Sequence, residues 1–205
     1  MTTEGVATTA VLLGEPLPVE LMNTVTMDRA GRAQDALDSD SGAAVWLRAV
    51  AGRFAEAGME SGPSVEGEQG VAELRALRDA LRMLASAATG DPRPPALPGE
   101  PARPAAIGTL NALARAWPEL VWDEGESPSR VYRGSGTEGA VRLIAHQGVQ
   151  LFTGPDRERL RPCLAPNCAL FFVRNHARRE WCSPVCGNRV RVARHYRRHH
   201  ASPES

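Results

Sequence analysis

All four cysteines of this 205-residue chain fall in its last quarter, at Cys163, Cys168, Cys182 and Cys186. Four residues separate the first pair and three the second, with thirteen between the pairs. Two close thiol pairs bracketing a hairpin-length span are what a tetrahedral zinc site requires, because each pair supplies two thiolates from one turn. Disulfides or free thiols are the alternatives. Pro162, Pro166 and Asn167 suit a tight knuckle at the first pair. The following "ALFFVRNHARREWC" reads as a hydrophobic strand, a polar turn and a return strand ending at Trp181. Ser183 followed by Pro184 is a helix start, with the hydroxyl as cap and proline in the first turn. Cys186 then lies where the helix amides favour a thiolate, and Gly187 would leave backbone room beside the metal. Knuckle, hairpin and ligand-bearing helix make a treble-clef-like unit. A four-thiolate centre is closed to substrate, so its role would be structural.

The helix that starts at Pro184 turns strongly basic. Run to His200, it would be roughly 25 Å long at 1.5 Å per residue. Arg191, Arg194, His195 and Arg198 follow i, i+3, i+4, i+7 spacing and share one face. Val185, Val192 and Tyr196 lie on another, which would dock the helix on the hairpin and Trp181. Arg189 and Arg197 flank the boundary, Asn188 sits in the second turn, and Arg174, Arg178 and Arg179 lie at the expected hairpin tip. The net charge of zero conceals a division: residues 1–156 hold 13 Arg against 21 Asp and Glu, whereas residues 157–200 hold 11 Arg against 2 Glu. A basic segment on an acidic body is the form expected of a chain with a polyanionic partner. Lysine is absent, so every basic side chain is a guanidinium, suited to bidentate contact with phosphate or guanine. Docking of the basic helix against the acidic body is the competing reading.

The rest of the chain reads as helical. Hydrophobic residues make up 42%, yet aromatics only 5%, so Ala, Leu and Val carry the core. Residues 1–16 are patternless and expected to be loose, as are 201–205. "LPVELMNTV", 17–25, opens a helix or short strand, and the polar stretch after it reads as a loop up to a cap at Asp40 or Ser41. Helices are expected at about 42–57, 71–88, within 107–120 (ended by Pro118 or just before it) and 137–154. Residues 89–106 hold six prolines and read as a linker. Val121-Trp122 and Val131-Tyr132 flank a turn-rich centre and predict a β-hairpin. The fold class is therefore α+β and predominantly helical: a body over 17–156 with a small hairpin, then a finger over 157–200 ending in a basic helix. No run is long enough to span a membrane and no signal-peptide core stands near the N-terminus, so a cytoplasmic protein is expected.

The segment "CLAPNCALFFVRNHARREWCSPVCGNRVRVARHYRRHH" resembles the CGNR zinc-finger family, named for the tetrapeptide that is Cys186-Gly187-Asn188-Arg189 here. Upstream, "LPVELMNTV", "AAVWL", "LRALRDALRMLA" and "LNALARAWPELVWDEG" resemble the ABATE domain that accompanies this finger in bacterial proteins described as stress-induced transcription regulators. Glu20 stands where the resemblance leads one to expect Asp. The resemblance implies zinc on Cys163, Cys168, Cys182 and Cys186 and a DNA-binding role for the finger, for which the basic residues read above are the candidate contacts: Arg174, Arg178, Arg179, Asn188, Arg189, Arg191, Arg194, His195, Arg197 and Arg198. The N-terminal domain would then serve sensing, homodimerisation or contact with RNA polymerase. A zinc–thiolate redox sensor, or an RNA- or protein-binding module, is the alternative. Asn23, Thr24, Asp28 and His146 form no nucleophile–base pattern, and an enzyme is not expected.

Overall fold

The computed structural model describes residues 11–59, 67–115, 118–122 and 127–200. Its architecture is α+β and mostly helical. Helix α1 (Leu17–Met22) has Pro18 in its first turn and is buried along its whole length. Strands β1 (Val25–Met27) and β2 (Ala33–Asp35) pair antiparallel, Val25 opposite Asp35. The sequence reading took this stretch for loop. Its turn places Gly31 at φ 78° and is braced by a side chain: Asp28 Oδ1 accepts from the Ala30 and Arg32 amides at 2.8 and 2.9 Å.

Helix α2 (Asp40–Ala49) is capped by Ser39, whose Oγ accepts from the Gly42 amide, one residue before the expected cap. The single helix expected to residue 57 breaks at Val50 (φ −101°, ψ 6°), and α3 (Ala51–Glu56) follows. Helix α4 (Gly67–Thr89) is the longest; Leu74, Leu77 and Leu81 are fully buried and Leu84 is half-buried against the same core. Helix α5 (Arg103–Leu113) begins inside the proline-rich stretch, because Pro104 occupies its first turn, where a missing amide costs nothing. It ends ahead of Pro118, as expected, and Pro118–Val121 is strand β3, paired with β4 (Ser129–Tyr132) in the expected hairpin. Helix α6 (Gly136–Thr153) packs on α4 and α5. At Gly148 a Cβ would stand 2.8 Å from Leu81 Cδ2 and 3.2 Å from Leu110 Cδ1, so glycine sets how closely the three helices approach.

A 3₁₀ turn (Pro155–Arg159) leads into β5 (Leu160–Pro162), which pairs with β6 (Phe171–Val173), and α7 (Pro184–His200) ends the described chain. The expected return strand at Trp181 does not form. Strand β6 pairs backward with β5, and the Arg-rich stretch after Arg174 offers no alternating apolar residues for a ladder.

Alternation along β6 sends its side chains to two cores. Phe171 and Val173 join the main core of Trp46, Phe54 and the leucines of α1, α4 and α6. Phe172 instead faces a second, smaller core with Cys163, Leu170, Cys182, Cys186 and Val190. Burying each of these three side chains is worth roughly 2 kcal/mol, so β6 is a shared wall that fastens the finger to the helical body.

Candidate metal centre and the helix it carries

Cys163 follows β5 directly, and its amide donates to the Leu170 carbonyl at 2.9 Å, closing the hairpin end that holds Cys168. Between the two thiols Asn167 adopts φ 52°, a left-handed turn that asparagine tolerates better than most residues. Ser183 Oγ accepts from the Cys186 amide at 3.3 Å, and Pro184 occupies the first turn of α7. These local rules bring four sulfurs together: Cys168–Cys182 is 3.9 Å, Cys168–Cys186 3.8 Å and Cys182–Cys186 3.5 Å. All four lie within 4.8 Å of one another. Sulfurs about 2.3 Å from one tetrahedral centre stand about 3.8 Å apart, so the donor set fits a thiophilic four-coordinate ion. The cysteines are buried, except for a half-buried Cys168.

Crowding splits the titration of these thiols. Hydrogen bonds with Cys168 and then Cys182 hold Cys163 far below the usual thiol range. The same Cys163 contact, with burial, pushes Cys168 up to about 12 and raises Cys182 as well. Binding a cation at full thiolate coordination therefore displaces protons, and acid opposes it.

Guanidinium groups hold the knuckle on two sides. Arg93 Nη1 donates to the carbonyls of Cys163, Cys168 and Leu170 at 3.2, 2.9 and 3.2 Å, and Arg93 is itself fixed by Asp91. Arg189 Nη1 donates to Pro166 and Asn167 carbonyls at 2.7 and 3.0 Å. Arg179 donates to the carbonyls of Val173 and Cys182 and pairs with the buried Glu15 at 2.5 Å. Two of the sequence-selected arginines, Arg179 and Arg189, thus hold the finger together. Arg93 was missed; alone among prolines in a linker, it carries no local signal of a contact some seventy residues away.

Helix α7 buries Cys186, Gly187 and Val190 against the finger, and Arg189 adds its hydrogen bonds to the knuckle. A Cβ on Gly187 would stand 3.1 Å from Trp181 Cδ1, so this glycine makes room for the indole rather than for a metal. Val185, Val192 and Tyr196, expected to dock the helix, are 68, 46 and 60% exposed. The thiol at Cys186 sets the helix rotation, and i+4 from it is Val190, which leaves the valine–tyrosine stripe facing outward. Beyond Val190 the helix projects: Arg191, Arg194, His195, Arg197 and Arg198 are exposed. Among the described residues Arg191, Arg194 and Arg198 make no ion pair with a carboxylate. Arginines from outside the helix flank it on both sides. Arg178 and His176 line one groove with Arg191, and Arg174 and Arg161 line another with Arg194. Asn188 is exposed in the second turn.

The polar residues considered for catalysis do not converge. Asn23 bonds the Phe171 backbone, Thr24 Oγ donates to the Leu21 carbonyl, Asp28 closes its turn, and His146 contacts Tyr132 and Gln150.

A helical body joined through a shared strand to a four-thiol cluster with a projecting basic helix is the architecture of a protein that carries a zinc-finger-type module. The chain belongs to the ABATE family, whose model, described as "Putative stress-induced transcription regulator", matches residues 15–155, and the CGNR zinc-finger model matches residues 159–199. No curated protein is a significant match. No helix among the described residues is long and apolar enough to cross a membrane.

Proposed function

We propose that the protein is a zinc-dependent DNA-binding transcription regulator in which Cys163, Cys168, Cys182 and Cys186 hold the ion. Bound there, zinc supplies a closed structural link between the knuckle and the first turn of α7. The residues of the finger do the rest. Arg93 and Arg189 fix the knuckle, and Val190 seats the helix. Arg191, Arg194, His195 and Arg198 face outward over a length that suits a major groove, with Arg197 and Asn188 beside them. Arg174 and Arg178 stand where they can clamp backbone phosphates on either side. Residues 17–156 serve as the regulatory body, through ligand sensing, homodimerisation or polymerase contact.

The observation that carries this reading is that Arg191, Arg194 and Arg198 are exposed and, among the described residues, make no ion pair with a carboxylate of the acidic body. A helix that served only to neutralise the body would spend its guanidinium groups on it. Fluorescence anisotropy of labelled duplex DNA with wild-type and Arg191→Ala/Arg194→Ala protein, zinc content measured in both, tests the proposal. The double variant should keep its zinc and lose at least tenfold in affinity. Unchanged DNA affinity, or tight binding to RNA alone, would overturn it.

A further inference from the structure

Beside the knuckle lies a cavity of about 260 Å³ whose wall is built from four separate parts of the chain, Met27 and Gly31 of the β1–β2 hairpin among them. Helix α4 supplies Arg82, the proline-rich segment supplies Arg93, Ala96 and Glu100, and the knuckle and β6 supply Cys168 and Phe171. The volume is below the 300–1,000 Å³ of drug-sized sites, which limits an occupant to roughly ten non-hydrogen atoms.

The charges around this space do not close on themselves. Arg82 and Arg93 both approach the Phe171 ring, at 5.5 and 4.8 Å from its centroid. Arg93 has its carboxylate, with Asp91 Oδ2 2.6 Å from Nη2. Arg82 has none: it donates from Nη1 to the Met22 carbonyl at 2.7 Å and from Nη2 to the Ala169 carbonyl at 3.2 Å, and among the described residues it makes no ion pair. Yet Arg82 is only 8% exposed. Burial and the like charges of Arg93 and Arg78 pull it down to about 10, still cationic at neutral pH. A buried cation without a counter-charge is costly. On the same wall Glu100 feels the Arg82 charge, and burial raises its carboxyl, but no ion pair joins the two within the described residues. Two opposite charges that line one cavity without touching leave a gap that a molecule with both charges would bridge.

We infer that this cavity binds a small zwitterion of the α-amino-acid class, its carboxylate on Arg82, its ammonium on Glu100 and its side chain against Phe171 and Ala96. The site lies between the helical body and the finger. Ala169 and Cys168 form its wall on the metal side, so an occupant presses on the segment that carries a thiol ligand. By linkage, a ligand that binds the metal-loaded wall more tightly also raises metal affinity by the same factor. The inference names the ligand class for the sensing role proposed above and rests on that reading for its purpose, though not for the binding itself.

Isothermal titration calorimetry of the full-length, zinc-loaded protein against each of the twenty L-amino acids tests it, with propionate and ethylamine as probes bearing one charge each. At least one amino acid should bind at 1:1 stoichiometry, and propionate and ethylamine at least tenfold more weakly. Arg82→Met also breaks two hydrogen bonds of the fold, so the decisive variants are Glu100→Gln and Ala96→Phe, each verified as folded by circular dichroism. Glu100→Gln should weaken binding at least tenfold, and Ala96→Phe, which fills the cavity, should abolish it. Absence of heat with every amino acid, propionate binding as tight as the best amino acid, or binding that survives both variants overturns the inference. No DNA is present in the cell, so failure here leaves the DNA-binding proposal standing, and success does not depend on it.

Discussion

Asn23 and Phe171 exchange two hydrogen bonds across 148 residues of sequence: Asn23 Nδ2 donates to the Phe171 carbonyl at 2.9 Å, and the Phe171 amide donates to Asn23 Oδ1 at 2.8 Å. The side-chain amide thus imitates a neighbouring strand and completes the free edge of β6. Asn23 is fully buried, so its loss strands a donor and an acceptor away from water. Asn23→Ala should cost on the order of 3 kcal/mol in chemical denaturation, at about 1–3 kcal/mol per unsatisfied group. A loss under ~0.5 kcal/mol would show that the seam does not depend on this pair.

Arg93 is the body's hold on the knuckle. Its planar fork meets three carbonyls and Asp91 together, a geometry that lysine cannot reproduce. Arg93→Lys should release zinc to a chromogenic chelator at least tenfold faster than wild type, while the far-ultraviolet circular dichroism of the loaded protein stays unchanged. Equal release rates would make Arg93 a bystander.

Much of this arrangement was legible in the chain, and what was not shares a physical cause. Cysteine spacing, the Ser183 cap and Pro184 located the four-thiol cluster and the start of α7, because each acts within a turn. The leucine period of α4 and the hairpin around Val121 and Val131 were equally local. The β1–β2 hairpin was not, since its strands are three residues each, too short for an alternation to stand out beside the turn that Asp28 and the left-handed Gly31 make. The partner of β6 was misjudged because strand pairing is a long-range choice: the Leu160–Pro162 stretch lies before the knuckle and looks like linker. The docking face of α7 was misread for the same reason, as apolar residues at helical spacing do not say which face the thiol at Cys186 will turn inward. Arg82 and Arg93 acquire meaning only from carbonyls on distant segments.

That rotation of α7 separates two kinds of valine. Val190 is buried in the finger core, whereas Val185 and Val192 are exposed. Val190→Ala should destabilise zinc-loaded protein by about 1–2.5 kcal/mol, since it opens a space in a small core. Val185→Ser/Val192→Ser should change stability by less than about 0.5 kcal/mol each. Denaturation midpoints distinguish the two, and a reversed order would place the docking face on the other side of the helix.

Glu20 should give stability a recognisable pH dependence. It is buried, accepts hydrogen bonds from the Leu13 and Glu15 amides, and burial raises its pKa above 4.5. The native state therefore keeps this proton to higher pH than the unfolded chain does. Between 4.5 and the raised value, the native state binds more protons, and stability falls as pH increases. Glu20→Gln removes that contribution, so thermal midpoints of variant and wild type should diverge as pH rises through this window. Parallel profiles would contradict the assignment.

The account as a whole turns on whether sulfur-bound zinc presents the α7 arginines to a polyanion. The most direct measurement is duplex DNA affinity by fluorescence anisotropy across a salt series, for protein loaded with zinc, stripped by chelator and reloaded. The loaded protein should bind with log K falling linearly and steeply against log salt, as counterion release requires. Stripping should abolish that binding and reloading restore it. DNA binding of the same strength and salt slope in stripped protein would contradict the account.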